Sequence, residues 1–91
     1  MHLYERKTRL FSEDIMNIEF EKCIGKKIKE LRVKEGLTQE QLSAKFQIHG
    51  CDITRSALAK IEVGQRHIYP DELKLFTELL NTDYNELLNI N

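Results

Sequence analysis

From residue 24 onward, apolar residues return at helical spacing. Ile24, Ile28 and Leu31 fall at i, i+4 and i+7, with Lys26, Lys27, Lys29 and Glu30 on the other face, the pattern of an amphipathic helix. Gly36 is its expected end, because a residue without Cβ adopts the left-handed conformation that closes helices. Thr38 followed by Gln41 has the spacing of a capping box, so a second helix is expected from Gln39 to about Gln47, with Leu42 and Phe46 inward. The period breaks between Ile48 and Ile53, a tract containing Gly50 and Asp52, and reads as a turn. Thr54, with Asp52 as the weaker choice, is the expected cap of a third helix that buries Leu58 and Ile61 and stops before Gly64. Pro70-Asp71-Glu72 marks a fourth start, since proline suits the first helical position and acids suit the positive end of the dipole. That helix turns Leu73, Phe76, Leu79 and Leu80 inward. Thr82 is the expected cap of a last short helix with Tyr84, Leu87 and Leu88 on one face. No segment alternates with a period of two, so the expected fold class is all-α, with five helices.

Residues 1–22 show no sustained period. Ser12, followed by Glu13 and Asp14, has the chemistry to cap a short helix there. The expected division is therefore an N-terminal extension over 1–21, partly disordered or a short helix, and a helical domain over 22–91. Met16, just ahead of the compact pattern, also suggests that residues 1–15 are an upstream extension outside the fold.

A chain of 91 residues has material for one domain and buries only about two-thirds of the surface that its unfolded form exposes, which argues against a deep catalytic cleft. With 41% hydrophobic and 32% charged residues, it has enough apolar content for a core. It contains no apolar run near the roughly 18 residues of a membrane span and no secretory leader pattern, so a cytoplasmic location is expected. Cys23 and Cys51 are the only cysteines and form no C-x-x-C pair. They are too few for a disulfide framework or a closed zinc site, and both are read as reduced thiols.

The formal net charge of -1 hides a partition along the chain. Residues 26–66 hold nine Lys or Arg against five acids, a net of +4, whereas residues 67–91 hold Lys74 against five acids, a net of -4. A basic middle with an acidic end suits a partner that is a polyanion met by one side of the molecule. His49, Cys51 and Asp52 bring the side-chain types of a nucleophilic triad together. Neighbours on one short loop cannot readily orient one another, however, and no oxyanion-forming motif accompanies them. No catalytic residue, metal ligand or cofactor is expected.

The segments Leu37-Thr38-Gln39-Glu40-Gln41-Leu42-Ser43, Leu58-Ala59-Lys60-Ile61-Glu62-Val63-Gly64-Gln65-Arg66 and Glu86-Leu87-Leu88 resemble the Cro/C1-type helix-turn-helix domains of phage repressors and bacterial regulators, the XRE family. The resemblance covers roughly residues 22–90. It implies a five-helix lambda-repressor-like domain that binds an operator in double-stranded DNA, usually as a homodimer; with room for one domain only, no small-molecule effector domain is expected. Arg55, Ser56 and Lys60, opposite the core positions of the third helix, are the expected base readers, since arginine and lysine donate to guanine O6 and N7 in the major groove. Thr38 and Gln39, at the start of the second helix, are expected to meet phosphate, as are Gln65 and Arg66 by their match to the family and Lys26 and Lys27 by reach. Arg32 and Glu62 match an arginine and a glutamate that pair in family members, a structural role. Ser43 stands where a small residue is expected at the crossing of the two helices.

One departure from the family is the turn. Gln47 to Ile53 intervene where about three or four residues are common. The expected dimer seam lies in the C-terminal helices, at Leu79, Leu80, Tyr84, Leu87, Leu88 and Ile90. The expected function is that of a cytoplasmic, bacterial or phage-encoded transcriptional regulator, a repressor. An antitoxin or a restriction-modification controller fits the same fold, and so does a protein-interaction module using that apolar C-terminal surface.

Overall fold

The computed structural model describes residues 3–89, with the side chains of residues 19–89. Five helices follow one another: α1 (Leu3–Lys34), α2 (Gln39–Ile48), α3 (Arg55–Glu62), α4 (Pro70–Leu79) and α5 (Tyr84–Leu88). The shared core is built from Ile24, Ile28 and Leu31 of α1, Leu42 and Phe46 of α2, Leu58 and Ile61 of α3, Phe76 of α4 and Leu87 of α5, together with Ile53 and Leu80 from the connections. α3 sits against both α1 and α2, while α4 and α5 close the core from the other side. The rings of Phe46 and Phe76 meet edge to face, their centroids 4.6 Å apart, a favoured aromatic geometry.

Two helix starts differ from their sequence reading. α1 is continuous from Leu3 to Lys34, so Ser12 lies inside a helix and not at the start of one. Weak periodicity does not stop a helix when neither glycine nor proline interrupts it before Gly25. At the other end, α5 is capped by Asp83, whose carboxylate accepts from the Glu86 amide at 2.7 Å, and not by Thr82. The Thr82 hydroxyl instead donates to the Glu86 side chain. Of the face expected to turn inward in α5, Leu87 is fully buried and Leu88 half-buried, but Tyr84 is exposed.

The close fit of α1 on α3 depends on Gly25. This residue is buried within α1, and a Cβ placed there would overlap the carbonyl oxygen of Ile61 and lie 2.9 Å from that of Glu62. Backbone carbonyls at the end of α3 cannot step aside as a flexible side chain can. Gly25→Ala gains helix propensity worth about 1 kcal/mol yet forces α1 away from α3, an overpacking cost of about 1–3 kcal/mol. A net loss of stability is expected, read as a lower urea midpoint in equilibrium unfolding. A midpoint at or above that of the unmodified protein would show that the two helices do not meet so closely.

Candidate nucleic-acid interface

The two helices that resemble a helix-turn-helix are fixed at both ends by local chemistry. At the start of α2, the Thr38 hydroxyl accepts from the Gln41 amide at 3.0 Å and the Gln41 side chain accepts from the Thr38 amide at 2.9 Å, a complete capping box. At the start of α3, Thr54, not Asp52, is the cap, accepting from the Ala57 amide at 3.1 Å.

Between them the chain makes a tight connection. α2 runs one residue further than expected, through Ile48, with His49 as its C-cap. Gly50 follows at φ 76, and the amides of Gly50 and Cys51 bond back to Gln47 and Phe46. This is the closing pattern that requires a left-handed residue. Between the caps His49 and Thr54 only four residues remain, the usual length for such a unit. The apparent long turn therefore reduces to an ordinary one once the extra helical residue and the caps are counted. Ile53 inserts into the core with no exposure. Its carbonyl accepts from the Ser43 hydroxyl at 2.7 Å and from the Gln47 side chain at 3.1 Å. Ser43 is thus more than a small residue at a crossing: its buried hydroxyl ties α2 to the entry of α3.

The same turn contains the triad-like tract. The Nδ1 atom of His49 lies 2.8 Å from the Lys45 carbonyl, and Asp52 accepts from Gln47 at 3.2 Å; among the described residues neither bonds to the thiol of Cys51. Cys51 is half-buried, and burial first, then the charges of Glu72 and Asp71, push its thiol above the ordinary value. A thiol held protonated is a poor nucleophile. Among the described residues, no group of three or more His, Cys, Asp or Glu could hold a metal ion.

Along α3, Leu58 and Ile61 face the core while Arg55, Ser56 and Lys60 are exposed. Those three side chains have no hydrogen-bond or ion-pair partner among the described residues, which leaves their donors free to meet a ligand. Lys26 is exposed and Lys27 half-buried on α1; Thr38 and Gln65 are exposed.

Three polar residues have partners that bear directly on the expected interface. Arg32 and Glu62 form a buried pair, with Nε donating to Oε2 at 2.6 Å and Nη2 to Oε1 at 3.0 Å, while Nη1 donates to the Leu37 carbonyl at 2.8 Å. Gln39 is half-buried and its Nε2 donates to Glu62 Oε1 at 3.0 Å, so its side chain is not a loose donor. Arg66 is bound within the fold. It grips Glu72 of α4 with two parallel bonds of 2.9 and 3.0 Å, donates to the His67 carbonyl at 2.9 Å, and lies 5.8 Å from the centre of the Tyr69 ring. Its role here is to fasten the segment after α3 onto α4. The signal for this was present in Glu72, placed at the third position of a helix opened by Pro70, where its carboxylate also accepts from the Tyr69 amide at 3.0 Å.

The expected dimer seam shrinks in the same way. Leu80 and Leu87 are core residues, 1% and 0% exposed, and have no surface to offer a partner. Leu79 and Leu88 are half-buried and Tyr84 is exposed. Ile90 lies outside the described residues.

The helix-turn-helix family model matches residues 28–87, which begins within α1 and ends at the last core residue of α5. The chain belongs to the Cro/C1-type helix-turn-helix family. It is thereby a DNA-binding domain of the transcription-regulator type. No curated protein and no solved structure matches it. Among the described residues, no helix is long and apolar enough to cross a membrane.

The Arg66–Glu72 pair makes stability depend on pH in a stated direction. Burial alone would raise the Glu72 carboxyl, but the hydrogen bonds from Arg66 and from the Tyr69 amide outweigh it and hold the group below the ordinary glutamate value of 4.5. A carboxyl lowered by folding stabilises fully above its unfolded value, and that contribution is lost as pH falls through the folded one. In the Arg66→Met variant, the loss of unfolding free energy between about pH 7 and about pH 3 should be smaller than in the unmodified protein, measured by urea unfolding. An unchanged acid slope would mean that the pair does not form in solution.

Proposed function

We propose that this domain binds double-stranded DNA in a sequence-specific manner, as a homodimer on a two-fold operator, and represses transcription in the cytoplasm of a bacterial or phage-infected cell. The observation that carries the reading is the exposed face of α3. Arg55 and Ser56 in its first turn and Lys60 about a turn and a half further on present donors unpaired among the described residues, while the neighbouring Arg32 and Arg66 are neutralised by carboxylates. The helix that a helix-turn-helix lays in the major groove thus keeps both of its cations, Arg55 and Lys60, available to a ligand.

Thr38, Gln39 and Gln65, with Lys26 and Lys27, are assigned to the flanking phosphates, where donors set register and supply affinity without reading sequence. Arg66 is left out of that set because its donors hold Glu72. The acidic end, residues 67–91, faces away from the duplex in this arrangement, since its net charge of -4 would be repelled by phosphate. Leu79, Tyr84 and Leu88 remain for the seam between protomers, which places half-sites about one helical turn apart.

The double variant Arg55→Ala, Lys60→Ala tests the assignment. Affinity for a selected site should fall by about 10- to 100-fold, the scale of one or two lost base contacts, while affinity for random-sequence duplex falls only by the salt-dependent share of two charges. Helical content by circular dichroism should be unchanged, since both side chains are exposed. Preserved discrimination between the two duplexes would place base reading elsewhere.

A further inference from the structure

Glu62 is an acidic side chain, only 2% exposed, at the end of the helix that carries the proposed base readers. Its carboxylate receives three hydrogen bonds. Two come from Arg32, and the third, on Oε1, comes from Nε2 of Gln39 at 3.0 Å. We infer that Glu62 is a positioning residue for DNA-backbone binding: it fixes the carboxamide of Gln39 so that one N–H is held internally and the other is left to donate to a phosphate. The inference rests on the DNA-binding reading and names how one of its phosphate contacts is made.

The chemistry of the amide sets the orientation. Only the NH2 end of a carboxamide can donate to a carboxylate; its oxygen would face the negative charge unfavourably. The bond to Glu62 therefore fixes which end of Gln39 points inward, and a bond to an ionised acceptor is stronger than one between neutral groups. A free glutamine on a surface helix loses rotamer freedom whenever it grips a ligand, whereas this one is already ordered. Arg32 removes the obvious objection. A carboxylate near a polyanion would repel it, but the two bonds from the guanidinium make the pair neutral as a whole, so Glu62 orders the donor without adding net negative charge. The same carboxylate thus serves the fold through Arg32 and the proposed interface through Gln39.

A double-mutant cycle separates these roles. Glu62→Gln alone would strand the Arg32 charge. The background is therefore Arg32→Met with Glu62→Met, which removes the acceptor while keeping the space filled by apolar side chains, an exchange that buried ion pairs often tolerate. In the unmodified protein, Gln39→Ala should weaken binding to a mixed-sequence duplex by about tenfold, the scale of one charge-assisted hydrogen bond. In the Met–Met background the same substitution should cost less than about twofold. A purely structural role for Glu62 predicts equal costs in the two backgrounds, and that result, or no cost in either, overturns the inference. A second measurement stands independently of whether the Met–Met variant folds. In the unmodified protein, the side-chain amide proton of Gln39 held by Glu62 should resonate outside the range of a solvated glutamine, and adding duplex should move the other proton, the two being distinct in any carboxamide because rotation about its C–N bond is slow. Two signals at the shifts of a solvated glutamine, or signals that ignore the duplex, overturn the inference as well. If the unmodified protein binds no duplex while the Gln39 amide is still ordered, it is the DNA-binding reading that has failed, and this inference falls with it.

Discussion

The buried pair of Arg32 and Glu62 joins the end of α1, the entry to α2 and the end of α3. Arg32 lies near the end of α1, its Nη1 holds the Leu37 carbonyl at the entry to α2, and Glu62 ends α3. Removing two charges from water is costly, and the return depends on geometry. Here the geometry is favourable, because both oxygens of Glu62 are used and no buried side-chain polar atom among the described residues lacks a partner. The pair fixes where the far end of α3 sits relative to α1 and to the start of α2. Gly25 makes that placement possible by letting the α1 backbone approach the last carbonyls of α3.

The near end of α3 is fixed by different means. Ile53 is buried, Ser43 and Gln47 hold its carbonyl, and Thr54 caps the helix that follows. With the far end held by an ion pair and the near end by a core side chain and a cap, α3 is clamped at both termini. Its outward face carries nothing that the fold needs: Arg55, Ser56 and Lys60 are exposed and unpaired among the described residues. A reading helix benefits from this separation, since its orientation is set by residues other than those that face the ligand.

Much of this arrangement was legible in the sequence because it is local. The capping box at Thr38, the turn at Gly50, the cap at Thr54 and the start at Pro70 each depend on residues within a few positions, and the core of α2 to α4 follows the 3.6 period. What stayed hidden depends on contacts between distant segments. Arg66 counts as a free cation until α4 brings Glu72 to it. Gln39 reads as a free donor until Glu62, 23 residues away, is placed beside it. Ile53 belongs to an irregular stretch where no period marks a buried residue, and the need for glycine at position 25 comes from α3 and not from α1. Leu80 and Leu87 were drawn to the surface by an apolar stripe that core and seam share equally, and only burial divides them.

The central claim is that α3 reads DNA sequence, and selection of bound fragments from a random pool of duplexes tests it most directly. The account predicts enrichment of a two-fold site whose half-sites are about one helical turn apart, with guanine prominent within each half, where Arg55 and Lys60 would donate. A pool that remains random after selection, although the protein retains it, would contradict that claim and reduce the domain to a sequence-blind binder of phosphate.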